Sequence, residues 1–197
     1  MQIYEFNNIV PVIHKSSFIH ESAVIIGDVF IGENVYIGPN CSIRGDFGRI
    51  IIKNNSNVQD ACVIHSFPSI DVILEEKSHI GHSAILHGCH IKYNAMVGMN
   101  SVIMDESVVG ENSIIGAMSL VPSKKIIPPN YLAYGNPIKL VRELREDEIS
   151  WKTNGTDEYS KLALDCINTL KKCSPLKESN DKRDSLRTDI DFKPKGN

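Results

Sequence analysis

Residues 85–121 read ILHGCHIKYNAMVGMNSVIMDESVVGENSIIGAMSLV, and the beat of their aliphatic side chains decides the fold. Ile85, Ile91, Val97, Ile103, Val109, Ile115 and Val121 recur at every sixth place, and small residues, Cys89, Ala95, Ser101, Ser107, Ser113 and Ser119, stand four places after the first six. A period of six matches neither the 3.6-residue stripe of a helix nor a tight-hairpin meander; it matches a chain that makes a short strand, turns and repeats. Glycine follows the lead residue at Val97-Gly98, Val109-Gly110 and Ile115-Gly116. These glycines, with Asn34, Asn40, Asn57 and Asn112, suit corners that turn at positive φ.

Upstream, the same beat runs through Ile19, Ile25, Ile31, Ile37 and Ile43, with Ala23, Val29, Val35, Cys41 and Phe47 four places on. It resumes in shifted phase at Ile52, Val58 and Ile64, and again at Leu74, Ile80 and Leu86. The lead side chains are expected to point inward and stack coil on coil, a solenoid with a narrow core. Both irregularities border histidines: the run Ser66-Phe67-Pro68-Ser69-Ile70-Asp71 leaves the beat directly after His65, and a one-residue slip falls beside His87. Loops on a rigid scaffold are where function tends to sit.

Downstream, Pro128-Pro129 break the chain and Tyr131-Leu132-Ala133-Tyr134 reads as a last strand before a turn. Glu146-Asp147-Glu148 is the acidic first turn of a short helix that Gly155 should interrupt, and Thr156 then caps a second helix with Tyr159, Leu162, Ala163, Cys166, Ile167 and Leu170 on one face. The organisation predicted is an all-β solenoid over residues 1–140, C-terminal α-helices over 141–173 and a flexible tail over 174–197.

With 197 residues, 42% hydrophobic and 23% charged, the chain suits one soluble domain, and its formal charge of -3 gives no bulk attraction to nucleic acid or an anionic membrane. The opening residues carry no basic and apolar leader pattern, so a cytoplasmic address is expected. Five scattered cysteines without a CxxC pair read as reduced structural thiols rather than a disulfide framework.

Seven histidines are present, and His79, His82, His87 and His90 fall within twelve residues. Three imidazoles with an open fourth position make a catalytic zinc site, where the ion brings the pKa of its water to about 7. His82 and His87 lie five apart across a corner, and five extended residues span roughly 16 Å. Ligands of one zinc, at about 2.1 Å each, must come closer than that. One chain therefore does not easily supply both. If His82 of one copy faces His65 and His87 of the next, the ligand set is divided between subunits of a homotrimer.

The repeat resembles the hexapeptide-repeat family, which implies a left-handed parallel β-helix. At Arg44-Gly45-Asp46, at Asn57-Val58-Gln59-Asp60 with His65 five beyond, and at His79-Ile80-Gly81-His82-Ser83-Ala84-Ile85-Leu86-His87-Gly88-Cys89, the chain is similar to its γ-class carbonic anhydrase-like branch. Arg44-Gly45-Asp46-Phe47-Gly48-Arg49-Ile50 and Pro129-Asn130-Tyr131-Leu132 most resemble the PaaY/CaiE subgroup, the PaaY side more closely. The resemblance implies zinc, with iron or cobalt as alternatives, on His65, His82 and His87 between adjacent subunits of a trimer. It also implies that Arg44 and Asp46 pair across the subunit boundary. Gln59 is expected to orient the hydroxide, Asp60 to hold a neighbouring group, and Tyr131, or equally Tyr134, to reach the site. His79, His90, His14 and His20 read as surface residues. Glutamates that would shuttle protons are missing: Phe47 takes the first place and residues 66–71 contain no Glu.

Three functions follow as expectations. The first is a metal-dependent enzyme whose hydroxide attacks CO2 or an acyl-CoA thioester. The second is an acyl-CoA-dependent acetyltransferase in which one histidine acts as general base. The third is a non-catalytic assembly protein.

Overall fold

The computed structural model describes residues 1–178. Residues 179–197, most of the expected tail, lie outside the described residues, and residues 174–178 are exposed and carry neither helix nor strand. The remainder is the parallel β-helix that the sixfold beat predicts, a left-handed solenoid of three flat faces. The first face stacks residues 24–27 and 42–45, then Val63–His65, Ile85–His87, Val102–Ile103 and Leu120–Val121. The second carries residues 29–31 and 50–52, then Val72–Leu74, His90–Ile91, Val108–Val109 and Ile126–Ile127. The third runs from Phe18–Ile19 through Tyr36–Ile37, Asn57–Val58, His79–Ile80, Met96–Val97 and Ile114–Ile115 to Tyr131–Tyr134.

Every lead position predicted inward from the repeat is buried from Ile19 to Val121, apart from Ile85. Phe47 is 58% exposed, because residues 42–52 form one continuous strand that rounds a corner with its phase displaced. Ile85 is 42% exposed while Leu86 is fully buried, so the slip beside His87 resolves in favour of Leu86. The buried serines at the corners are satisfied by carbonyls, as in Ser119 Oγ to Gly116 O at 2.6 Å and Ser113 Oγ to Pro128 O at 2.6 Å.

The corners obey a different rule from the one expected. Positive φ falls on Asn34, Asn40, Asn94, Asn100 and Asn112, but Asn55 rather than Asn57 turns its coil. The glycines after the lead residues have no positive φ; they are small because the next coil lies on them. A Cβ on Gly98 would stand 2.5 Å from the amide nitrogen of Ala117.

The C-terminal element is one helix, Glu146–Thr169, not two. Gly155 costs a helix interior about 1 kcal/mol, but Lys152 and Thr156 on either side of it are anchored in the third face, and the turn holds. Thr156 is not a cap; it lies buried and donates its hydroxyl to Lys152 O at 3.1 Å. Of the predicted stripe, Ala163 is buried and Tyr159 packs at 5.4 Å on the rings of Tyr36 and His79, while Leu162, Ile167 and Leu170 remain exposed. A strand that the sequence reading omitted, Lys139–Glu143, folds back antiparallel on Tyr131–Tyr134 and closes the prism.

Candidate metal centre

His65 and His87 are direct register partners on adjacent strands of the first face, so the pleat turns both rings the same way. Nδ1 of His65 and Nε2 of His87 stand 3.1 Å apart. Their other ring nitrogens are each held by a carboxylate: His65 Nε2 by Asp46 Oδ1 at 2.9 Å, and His87 Nδ1 by Asp105 Oδ1 at 2.5 Å. A carboxylate accepts, so it draws the imidazole proton to its own side and leaves the facing nitrogens as lone pairs. Two lone pairs pointed at one another repel unless a proton or a metal cation lies between them. Nitrogens bound to one tetrahedral ion at about 2.1 Å are roughly 3.4 Å apart, close to the spacing observed.

Arg44 closes on Asp46 within the chain, because the two side chains are two apart on one side of a strand; the expected pairing across a boundary is not needed to satisfy either. Burial alone would raise the Asp46 carboxyl, but the bonds from His65 and Arg44 outweigh it and hold the group below the usual range. Aromatic rings flank the histidines where proton-shuttling carboxylates were looked for. Phe47 lies 5.4 Å from His65 and Phe67 6.5 Å from His87, centroid to centroid.

His82 is on a different edge of the prism, at the corner between the third and first faces. Its Nδ1 is 3.2 Å from Asp60 Oδ2, with both side chains largely exposed. Among the described residues, no three His, Cys, Asp or Glu side chains of one chain converge to hold a metal ion.

Gln59 stands at the same corner, beneath the helix. Its Nε2 donates to Asn57 Oδ1 at 3.1 Å and to His79 Nε2 at 2.8 Å. His79 is therefore not the surface residue expected: it is 9% exposed and its Nδ1 meets Thr156 Oγ1 at 3.2 Å. Burial, helped by the nearby charges of Lys152 and His82, pushes its imidazole down to about 3. Within one chain Tyr131 is not brought to the histidines. It packs on the core three strands up the third face from His79–Ile80, about 14 Å along the axis, and Tyr134 shares that strand. Tyr159, read from sequence only as part of an apolar stripe, lies at this corner against Tyr36; burial and the charge of Asp60 raise its hydroxyl. His90 pairs with Glu75 at 2.9 Å, while His14 and His20 bond Ser16 and Ser22 two residues on.

Asp105 was missed by the sequence reading. It lies 18 residues beyond His87, three hexapeptides and so one coil later, and counting coils from each histidine would have found it.

The fold and the corner sites define a hexapeptide-repeat protein, and residues 11–45 match the family model for the bacterial transferase hexapeptide (six repeats). The chain is 45% identical over 195 residues to the carnitine operon protein CaiE of Salmonella dublin, covering 99% of this chain and 98% of the relative. It belongs to the CaiE-like family of hexapeptide-repeat proteins. Among solved structures, a Bacillus cereus protein classed by name with the acetyltransferases is 42% identical with a TM-score of 0.82, covering 83% of this chain and 95% of that one. A hexapeptide transferase family protein from Anaplasma phagocytophilum is 34% identical with a TM-score of 0.81, covering 86% of this chain and 98% of that one. No helix among the described residues is long and apolar enough to cross a membrane.

Proposed function

We propose that the protein is a metal-dependent enzyme of γ-carbonic anhydrase-like type, a homotrimer in which His65 and His87 of one copy and His82 of its neighbour hold a divalent cation, zinc in the first instance. The observation that carries this reading is that all three histidines are held from behind by a carboxylate, Asp46, Asp105 and Asp60 in turn. Metal-ligating histidines are habitually oriented that way. Iron and cobalt suit imidazole too.

When bound, the cation supplies the Lewis acidity that makes water nucleophilic at neutral pH. The chain's own residues do the rest. The three carboxylates fix the tautomers, Gln59 offers its carbonyl oxygen to a water proton, and Phe47 and Phe67 wall the histidines with apolar surface. Two electrophiles fit: CO2, hydrated to bicarbonate, and the carbonyl of an acyl-CoA thioester, hydrolysed to acid and thiol. Aromatic walls without a shuttling carboxylate favour the thioester, because fast CO2 hydration must export a proton at each turnover. The Salmonella relative carries the CaiE name; the PaaY side of the subgroup rests on the resemblance of Arg44–Ile50 and Pro129–Leu132.

The test measures bound metal, 18O exchange from CO2 and thiol release from a panel of acyl-CoAs on metal-replete protein. We expect one activity and its loss in His82→Ala; an unchanged activity in that variant contradicts both chemistries. A second reading, an acyltransferase, is favoured by the acetyltransferase designation of the Bacillus cereus relative and by the His87–Asp105 pair, which has the form of a general base and its orienter. Acyl transfer that persists in metal-free protein would select it.

A further inference from the structure

Hydrogen bonds run from the corner of the candidate site into the C-terminal helix, and the orientation of the Gln59 amide assigns their direction. Both Gln59 Nε2 hydrogens are committed, one to Asn57 Oδ1 at 3.1 Å and one to His79 Nε2 at 2.8 Å. A ring nitrogen that accepts carries no proton, so neutral His79 keeps its proton on Nδ1. Thr156 Oγ1 lies 3.2 Å from that nitrogen and gives its own hydrogen to Lys152 O at 3.1 Å, so it receives the Nδ1 proton. Asn57 Nδ2, 3.3 Å from the same Nδ1, is then a neighbour rather than a partner.

The arrangement leaves Gln59 Oε1 without a partner among the described residues. Only Ser160 Oγ is both fully buried and unpartnered there, so Gln59 Oε1, on a residue 3% exposed, is not wholly buried. It lies at the corner where Asp60 holds His82. We propose that His79 is a positioning residue for Gln59, and that the C-terminal helix, through Thr156, selects the His79 tautomer that presents Gln59 to the site as an acceptor. An acceptor receives a hydrogen bond from a water and leaves its lone pair free to attack. The reversed amide would donate to that lone pair and blunt it. This inference rests on the metal-site reading above.

The experiment joins spectroscopy to kinetics. Nitrogen-15 NMR of the full chain labelled at histidine reports the His79 tautomer with or without metal. We expect Nδ1–H in the wild type and in Thr156→Ser, and a shift toward Nε2–H in Thr156→Val, which removes the acceptor but keeps the shape. With metal content at the wild-type level, kcat of Thr156→Val should fall about tenfold at unchanged KM, the scale of a lost outer-shell partner. Thr156→Ser should restore it, and adding Thr156→Val to Gln59→Ala should cost nothing further. An Nε2–H tautomer in the wild type, an unaltered kcat in Thr156→Val, or additive losses in the double variant would overturn the proposal. Failure of the metal-site reading is recognised separately, as wild-type protein with neither metal nor activity, and the tautomer measurement still decides the His79 link.

Discussion

His79 and His87 occupy outward positions on neighbouring faces of one coil, yet their surroundings oppose each other. His79 lies under the C-terminal helix, bonded to neutral Gln59 and Thr156, and burial keeps it uncharged. His87 is partly open, backed by Asp105, and faces a second imidazole. The solenoid offers the same stage to both. What covers a face decides whether a histidine on it becomes a fastener or a ligand.

The largest expected effect separates those two roles. His87→Ala should abolish metal binding and lower activity more than about 100-fold, beyond what outer-shell changes cause, with little change in melting temperature. Asp105→Asn should weaken metal binding by about 10- to 100-fold. Titration with zinc and thermal unfolding check both. Substantial unfolding in His87→Ala would erase the distinction.

The covered face should instead register in stability. Lys152 is 2% exposed and donates to Lys77 O at 2.8 Å and Asn94 Oδ1 at 2.7 Å, with no carboxylate among those partners. Burial, together with the charge of Lys77, lowers its ammonium well below 10.5. Lys152→Ala should destabilise by about 3 kcal/mol through cavity and orphaned acceptors. Lys152→Met, which keeps the volume, should cost less. Because the unfolded chain binds the Lys152 proton more tightly, this group makes stability rise with pH toward 10.5, and either variant should flatten that rise. Denaturant unfolding across alkaline pH measures it.

His79 gives the acid counterpart. Its imidazole is held at about 3, against 6.5 when unfolded, so between those values the unfolded chain binds more protons. Its stability contribution is complete above pH 6.5 and is lost as pH falls toward 3, with a slope of at most about 1.4 kcal/mol per pH unit. His79→Phe should remove that slope. The smallest effect tests the helix that does the covering. Gly155 lies mid-helix without positive φ, and Gly155→Ala should stabilise by about 1 kcal/mol without altering metal binding.

The solenoid was legible because its core is a column: each inward side chain meets its own kind one coil away, and the period survives in one dimension. His65 and His87 stood out for the same reason, at slips in the beat. Ile85 misled because a one-residue slip changes which side chain points in while the composition hardly changes. His79, Tyr159 and the uninterrupted helix were hidden because they depend on a docking partner some 75 residues away, as in the His79–Thr156 bond. No local pattern records that contact. Asp105 was hidden only by the arithmetic of the coil.

The division of ligands between copies can be tested by mixing two defective proteins. His82→Ala alone and the double variant His65→Ala/His87→Ala alone should each bind no stoichiometric metal. Dissociated and reassembled together, they should regain one site per mixed trimer, where intact His65 and His87 meet intact His82. Metal retained by either variant alone, or never restored in verified mixed oligomers, would contradict the shared site.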